Sequence, residues 1–189
     1  MNYQSYSHSS SINHFHFHKL KVVGYGDTPR FIHRDDMNYT KAFLQESFRM
    51  SSISMFAMPH FTTASVSVGP YVIPKGTTIL PGLICVHTDP DLFPEPHKFK
   101  PDRFLDQDGI FQNDEHVIPF SIGKRYCLGQ SLAEKAYFLF FTGIMQKFDI
   151  SSHSNQTLHS YHIQDHEGSG AIRAAPKFDA VLTPRKKTV

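Results

Sequence analysis

"PFSIGKRYCLGQSLA", residues 119–133, sets Cys127 between Gly123 and Gly129, two positions after Arg125 and just ahead of a segment whose apolar spacing predicts a helix. The chain holds only two cysteines, so the position of this one restricts its chemistry. A C-x-x-C zinc or redox site is excluded by spacing, and a disulfide would need Cys85, inside the apolar run "TILPGLICVH". Ahead of a helix, free backbone N–H groups and the positive end of the helix dipole favour a negatively charged sulfur, and Lys124 and Arg125 add positive charge beside it. The two glycines permit a tight turn that aims the sulfur outward and let backbone approach a large flat ligand, with Phe120 as an aromatic wall. On these residues alone three readings stay open: a ligand-holding sulfur, an inert buried cysteine at a helix start, and a nucleophile that would need a histidine base from among the chain's 13.

The rest of the chain narrows the setting. At 189 residues with 40% apolar and 13% aromatic side chains it can bury one sizeable core, and one domain is expected. A net charge of +2, with the cations spread along the chain, gives no reason to expect a nucleic-acid partner. The longest strongly apolar stretch, "AYFLFFTGIM", falls short of the roughly 20 residues of a membrane span, and the first twenty residues lack the apolar centre of a signal peptide. Those residues, 1–20, read as an irregular leader rich in His and Ser, whose "HFHFH" would hold zinc only if further ligands joined it.

From 21 to 189 the sequence predicts α+β structure, mainly helical. Apolar residues Tyr39, Phe43, Leu44 and Phe48 predict a helix over 39–50, capped by Asp36 or Asn38. "ASVSVGPYVIPKGTTILP" predicts two short strands meeting at the turn Pro74, Lys75, Gly76, and "GLICVHTDPDLF" a short helix closed before Pro90. Residues 93–120 are too rich in proline and too unperiodic for a long element and read as an ordered meander before the cysteine loop. From Gln130 a core helix is expected, with Leu132, Ala136, Leu139, Phe140, Gly143, Ile144 and Phe148 as its buried face. Alternation at Phe178, Ala180 and Leu182 suggests a terminal hairpin.

Phe120, Gly123, Arg125, Cys127 and Gly129 fill the pattern F-x-x-G-x-R-x-C-x-G, which resembles the signature of the haem-thiolate monooxygenases, the cytochromes P450. Three further features of that family occur in order: Glu46 and Arg49 three apart, His60 after Pro59, and Phe99, Pro101, Arg103 and Phe104 in the meander. "YVIPKGT" and "HTDP" are most similar to the microsomal animal type. The resemblance implies the C-terminal part of the cytochrome P450 fold, a partial haem-binding domain over 21–189, and haem b (iron protoporphyrin IX) as cofactor. It implies Cys127 as the axial iron ligand, and Arg125 and His60 as partners of the haem propionates, where alone these two would read as an exposed arginine and a core or surface histidine. Glu46, Arg49 and Arg103 would form a buried ion-pair network locking the cysteine loop, although by spacing Glu46 and Arg49 are only a surface pair worth ~0.2 to 0.5 kcal/mol. Ser54, Met55, Phe56 and Ala57, with 168–171, match segments that touch substrate; by themselves they read as mobile loops.

By the same resemblance the function is oxidation of a small apolar molecule with O2, using electrons from an NADPH-dependent reductase docked near Lys124 and Lys135, at the endoplasmic reticulum membrane. The departures are equally specific. The family's long helix with its acidic and threonine residues, which delivers protons to bound oxygen, has no counterpart here, so no catalytic residue is assigned in this chain. Neither has its membrane anchor, and Gln130 stands where Glu is frequent. The alternative is therefore a catalytically inactive fragment that retains the haem-binding loop.

Overall fold

The computed structural model describes residues 22–23, 27–152, 172–175 and 178–185, and its framework is two helices clasped by aromatic side chains. The first, α1, spans Asn38–Ser51, and it buries far more than one stripe: Tyr39, Thr40, Ala42, Leu44, Gln45, Glu46, Arg49 and Met50 are all covered. Such a helix is wrapped by neighbours on several sides. Its start differs from expectation. Met37 is the N-cap and no side chain caps the first turn, so neither Asp36 nor Asn38 does so; Met37 is instead held by burial, only 1% exposed, in the apolar core. At the other end Ser52 adopts a left-handed conformation, φ 35°, and its N–H closes on the Phe48 carbonyl.

The segment after α1 returns through short antiparallel pairs rather than one sheet. β1 (His60–Phe61) pairs with β4 (Thr78–Ile79), and β2 (Val66–Val68) with β3 (Tyr71–Ile73). The expected hairpin at Pro74–Gly76 is corrected: the paired strands meet one turn earlier, where Val68 faces Tyr71 across Gly69 and Pro70. Gly69 supplies the positive φ, +54°, that a two-residue turn needs. At the later turn β3 cannot pair with β4, because Thr62 occupies it, accepting from the Thr77 N–H (2.9 Å) and donating to the Pro74 carbonyl (2.7 Å).

Then come α2 (Leu83–His87), the meander with a single helical turn at Pro101–Phe104, the cysteine loop, α3 (Gln130–Lys147), and β5 (Phe148–Ser152) paired antiparallel with β6 (Ala180–Pro184). The expected terminal hairpin is corrected: β6 forms over Ala180 and Leu182 but pairs with β5, directly after α3 and with 27 residues between the two strands, and Phe178 lies before the strand. The leader with its "HFHFH" and the stretch 168–171 lie outside the described residues.

The core forms two apolar clusters on either side of α1. One gathers Val23, Met37, Leu44 and Phe138, with Phe31, Phe43, Tyr137 and Phe141 against it; the other gathers Ala42, Phe93 and Phe104. Phe43 stacks on Phe141 at 4.7 Å between ring centroids, and Phe48 meets Tyr137 edge-on at 5.1 Å, so α1 and α3 lock ring against ring. This corrects the expected face of α3 in part, for of its members Ala136, Gly143 and Phe148 are half-buried and the other four are not. Phe138 and Thr142 are buried completely, whereas Leu132, Leu139, Phe140 and Ile144 look outward. The aromatic neighbours decide it: α3 turns toward the rings of α1 and Phe31, and no described element covers its opposite side.

Replacing Phe138 by Ala should cost ~3 to 5 kcal/mol in a urea melt, whereas Phe140→Ala, at a residue 72% exposed, should cost under about 0.5 kcal/mol. Equal losses would show that the outward side is covered in solution.

Candidate functional site

At the centre lies Glu46, fully buried on α1. One turn on, Arg49 grips both of its oxygens, Nε to Oε2 at 2.7 Å and Nη2 to Oε1 at 2.8 Å. Oε1 also accepts from Arg103 Nε at 3.2 Å and from the backbone N–H of Lys100 at 2.9 Å. The three residues expected to form a network therefore do meet, 54 to 57 positions apart where α1 joins the meander. Four donors on one carboxylate offset a desolvation that a lone buried ion pair would not withstand. Arg103 uses its remaining nitrogens on meander carbonyls, those of Pro94 (2.9 Å), Glu95 and Lys98 (both 3.4 Å). Outside this, Lys100 and Lys98 pair with Glu95, hold its carboxyl down to about 2, and sit in solvent.

Arg49 also stacks over the Phe93 ring, 5.1 Å from its centroid, and donates through Nη1 to the carbonyl of His87 at 2.6 Å. His87 was not anticipated as a site residue. It is wholly buried at the end of α2. Its Nε2 accepts from the backbone N–H of Ile118 (2.9 Å), which fixes the tautomer: Nδ1 carries the proton toward Ser52 Oγ (2.7 Å), and the Ser52 hydroxyl passes its own to the Arg49 carbonyl (2.7 Å). Burial first, and the Arg49 charge second, lower its pKa from 6.5 to about 4. The only sequence signal was a histidine at the end of an apolar run before Thr88 and Asp89, with nothing local to mark its partner 31 residues on.

Beyond Ile118 the cysteine loop is drawn tight. The Cys127 N–H bonds to the Phe120 carbonyl at 2.9 Å, and Tyr126 N–H reaches the Gly123 carbonyl across a helical turn at Gly123–Arg125. Gly123 has φ +74°, which glycine alone adopts without strain. Phe120 packs edge-on against Phe48 at 5.4 Å, so the ring expected as a ligand wall also anchors the loop to α1. Cys127 and Cys85 are free thiols, both exposed, which removes the disulfide and the buried inert cysteine from consideration. Gly129 has φ −82° and is not glycine for backbone reasons; a Cβ there would stand 3.7 Å from the Cys127 sulfur, so its absence keeps open the space beside that atom.

Other expected site residues lie apart. Arg125 is exposed and makes no hydrogen bond among the described residues. His60 opens β1 with its Nε2 buried and unpartnered there, an atom that asks for a ligand or solvent. Ser54, Met55, Phe56 and Ala57 run between α1 and β1, tied by Ile84 N–H to the Met55 carbonyl and Ala57 N–H to that of Pro81. Among the described residues no hydrogen bond joins these residues or His60 to the cysteine loop, and no group of His, Cys, Asp or Glu could hold a metal ion by itself. A flat ligand with acidic arms, ligated by one sulfur, fits this donor set better than a bare cation does.

Comparison with known proteins places these features. The family model described as Cytochrome P450 matches residues 19–174. The farnesoate epoxidase of Bombyx mori is 37% identical over 165 residues, 87% of this chain and 32% of that protein. Cytochrome P450 2J2 of Homo sapiens is 41% identical over 138 residues (73% of this chain, 27% of the relative), and cytochrome P450 2L1 of Panulirus argus 36% over 139 (74% and 28%). The chain thus spans about a third or less of the length of these relatives.

Glu46→Ala leaves Arg49 buried without its counter-charge and should cost ~3 to 5 kcal/mol of stability by urea denaturation; a loss under about 1 kcal/mol would mean the network is decorative. His87 predicts a pH effect of defined sign. The unfolded chain binds its proton near 6.5 and the folded one only near 4, so this contribution is complete above 6.5 and fades as pH falls to about 4. That interval amounts to about 3 kcal/mol at about 1.36 kcal/mol per unit, and the added slope should be missing from melts of His87→Gln.

Proposed function

The chain belongs to the cytochrome P450 family, and from that premise we propose that it forms the thiolate side of a haem monooxygenase that oxidises an apolar small molecule. The observation that carries the reading is the Cys127 sulfur, exposed on a turn pinned by the Cys127–Phe120 backbone hydrogen bond and by Phe120 on Phe48. In this reading Cys127 would ligate the iron of haem b, Phe120, Gly123 and Gly129 would shape the bed beside it, and Arg125 and the orphaned Nε2 of His60 would hold the propionates. The chemistry such a cofactor supplies when bound is activation of O2, with thiolate donation favouring O–O cleavage. The protein's own part is to hold that sulfur still and oriented, which the turn and the Glu46 network do.

A relative named for epoxidising farnesoate supports an apolar substrate, for which Ser54, Met55, Phe56 and Ala57 are the proposed contacts. Resemblance to the microsomal animal type supports an NADPH-dependent reductase as electron donor, for which Lys124 and Lys135 are exposed, and the endoplasmic reticulum membrane as location. No helix among the described residues is long and apolar enough to cross a membrane.

Haemin titration of the chain, followed by reduction under carbon monoxide, should give a thiolate-type Soret band. Cys127→Ser should abolish that band while changing the unfolding free energy from urea melts by less than about 0.5 kcal/mol, because the side chain is exposed. No haem uptake, or an unchanged band in Cys127→Ser, would sink the proposal. A proper band without turnover in the presence of a reductase would favour a haem-holding chain that is inactive by itself.

A further inference from the structure

The start of the cysteine loop hangs on a side chain outside the set of residues proposed above to hold the cofactor. The Ile118 N–H is taken up by His87 Nε2, a nitrogen buried at the end of α2, while the opposite side of the same ring is fixed by Ser52 and the residue's carbonyl is gripped by Arg49. Three segments distant in sequence therefore share one imidazole: the C-terminal cap of α1, the end of α2 and the first residue before the loop. We infer that His87 is a positioning residue for the cysteine loop, its neutral imidazole transmitting the placement of the Glu46–Arg49 pair to the backbone of Ile118, and that protonation of the ring releases the loop there.

The chemistry of release follows from the donor count. A backbone N–H can only donate, so Ile118 requires a lone pair at Nε2. Once Nε2 carries a proton, two donors face each other, and that hydrogen bond is exchanged for a repulsion. The charged ring would also stand against the Arg49 guanidinium, the charged group that faces it from α1; the carboxylate of Glu46 is already committed to Arg49, Arg103 and the Lys100 N–H. No compensating acceptor is in place among the described residues. Burial and Arg49 accordingly keep the ring neutral down to about 4. The connection to Cys127 runs through a short stretch of chain: Ser121 N–H bonds back to the Ile118 carbonyl, and Phe120 carries the carbonyl that receives the Cys127 N–H. Loosening Ile118 therefore loosens the incoming side of the turn on which the sulfur sits. The consequence for a bound haem rests on the function proposed above; the consequence for the backbone does not.

The two amide isosteres of histidine separate this role from mere filling of space. The Gln carbonyl reaches the position of Nε2 and can accept from Ile118 without titrating, whereas Asn reaches only the Nδ1 side, toward Ser52. Residue-resolved hydrogen exchange on the full chain, expressed as protection relative to the unstructured rate, reads the bond directly. In the wild type the Ile118 amide should lose protection as pH falls from about 6.5 to about 4, by about tenfold more than the mid-α1 amides, which follow global stability, lose over the same range. His87→Asn should show that loss already at neutral pH, and His87→Gln should restore protection and make it independent of pH. Equal protection in the Asn and Gln variants, or a wild-type Ile118 indifferent to pH, overturns the inference; if both variants fail to fold, the wild-type titration decides it. Repeating the exchange with haemin present keeps the two proposals apart, because pH-dependent protection of Ile118 without haem uptake would uphold the His87 coupling and reject the haem reading.

Discussion

A carboxylate with no access to water sets the terms for everything around it. Burying Glu46 costs several kcal/mol unless its oxygens are fully engaged, and the chain meets that demand from three places: Arg49 on the same helix, Arg103 from the meander, and a backbone N–H at Lys100. None of these donors can be moved without leaving a charge or a lone pair stranded. The meander, which has almost no regular structure, is therefore not loose: its fold is whatever conformation lets Lys100 and Arg103 reach Glu46 while Arg103 satisfies the carbonyls of Pro94, Glu95 and Lys98.

The same constraint reaches the cysteine loop by two routes of different character. The polar route goes from Arg49 through His87 to Ile118, and the apolar one from Phe48 to the ring of Phe120. They act on the loop within two residues of each other, and both start on α1, so the loop inherits its position from that helix. Hydrogen bonds supply direction and ring packing supplies most of the energy. A turn carrying only the local bonds from Cys127 to Phe120 and from Tyr126 to Gly123 would be free to swing as a unit if either route were missing.

Much of this was legible in the sequence where the signal is short-range. The spacing of Glu46 and Arg49, the fit of Phe120, Gly123, Arg125, Cys127 and Gly129 to one pattern, and the periodicity behind α1 and α3 all depend on neighbours within a few turns. What failed was decided at long range. The buried side of α3 could not be read from its own residues, because Leu132, Leu139, Phe140 and Ile144 are as apolar as Phe138 and Phe141; α1 chose between them by offering Phe43 and Phe48. The hairpin was misplaced because a hydroxyl, Thr62, competes for the later turn from 12 to 15 residues away. His87 escaped notice because a histidine among aliphatic residues has no pattern until its partner is known.

The division of labour between α1's two faces explains why so much charge sits inside so small a chain. Its apolar contacts fix how closely α3 approaches, yet apolar packing is non-directional and tolerates sliding, whereas an arginine that must satisfy both oxygens of one glutamate and the carbonyl of His87 tolerates almost none. In the function proposed above, a sulfur that would bind a planar ligand needs orientation more than it needs stability. Replacing Glu46, Arg49 and Arg103 together by apolar residues of similar volume could leave the melting behaviour intact, as buried ion networks often permit, and still lose the register of Arg103 on the meander and of His87 on Ile118. Stability would then belong to the aromatic clasp between α1 and α3, and specificity of the cysteine loop to the buried charges.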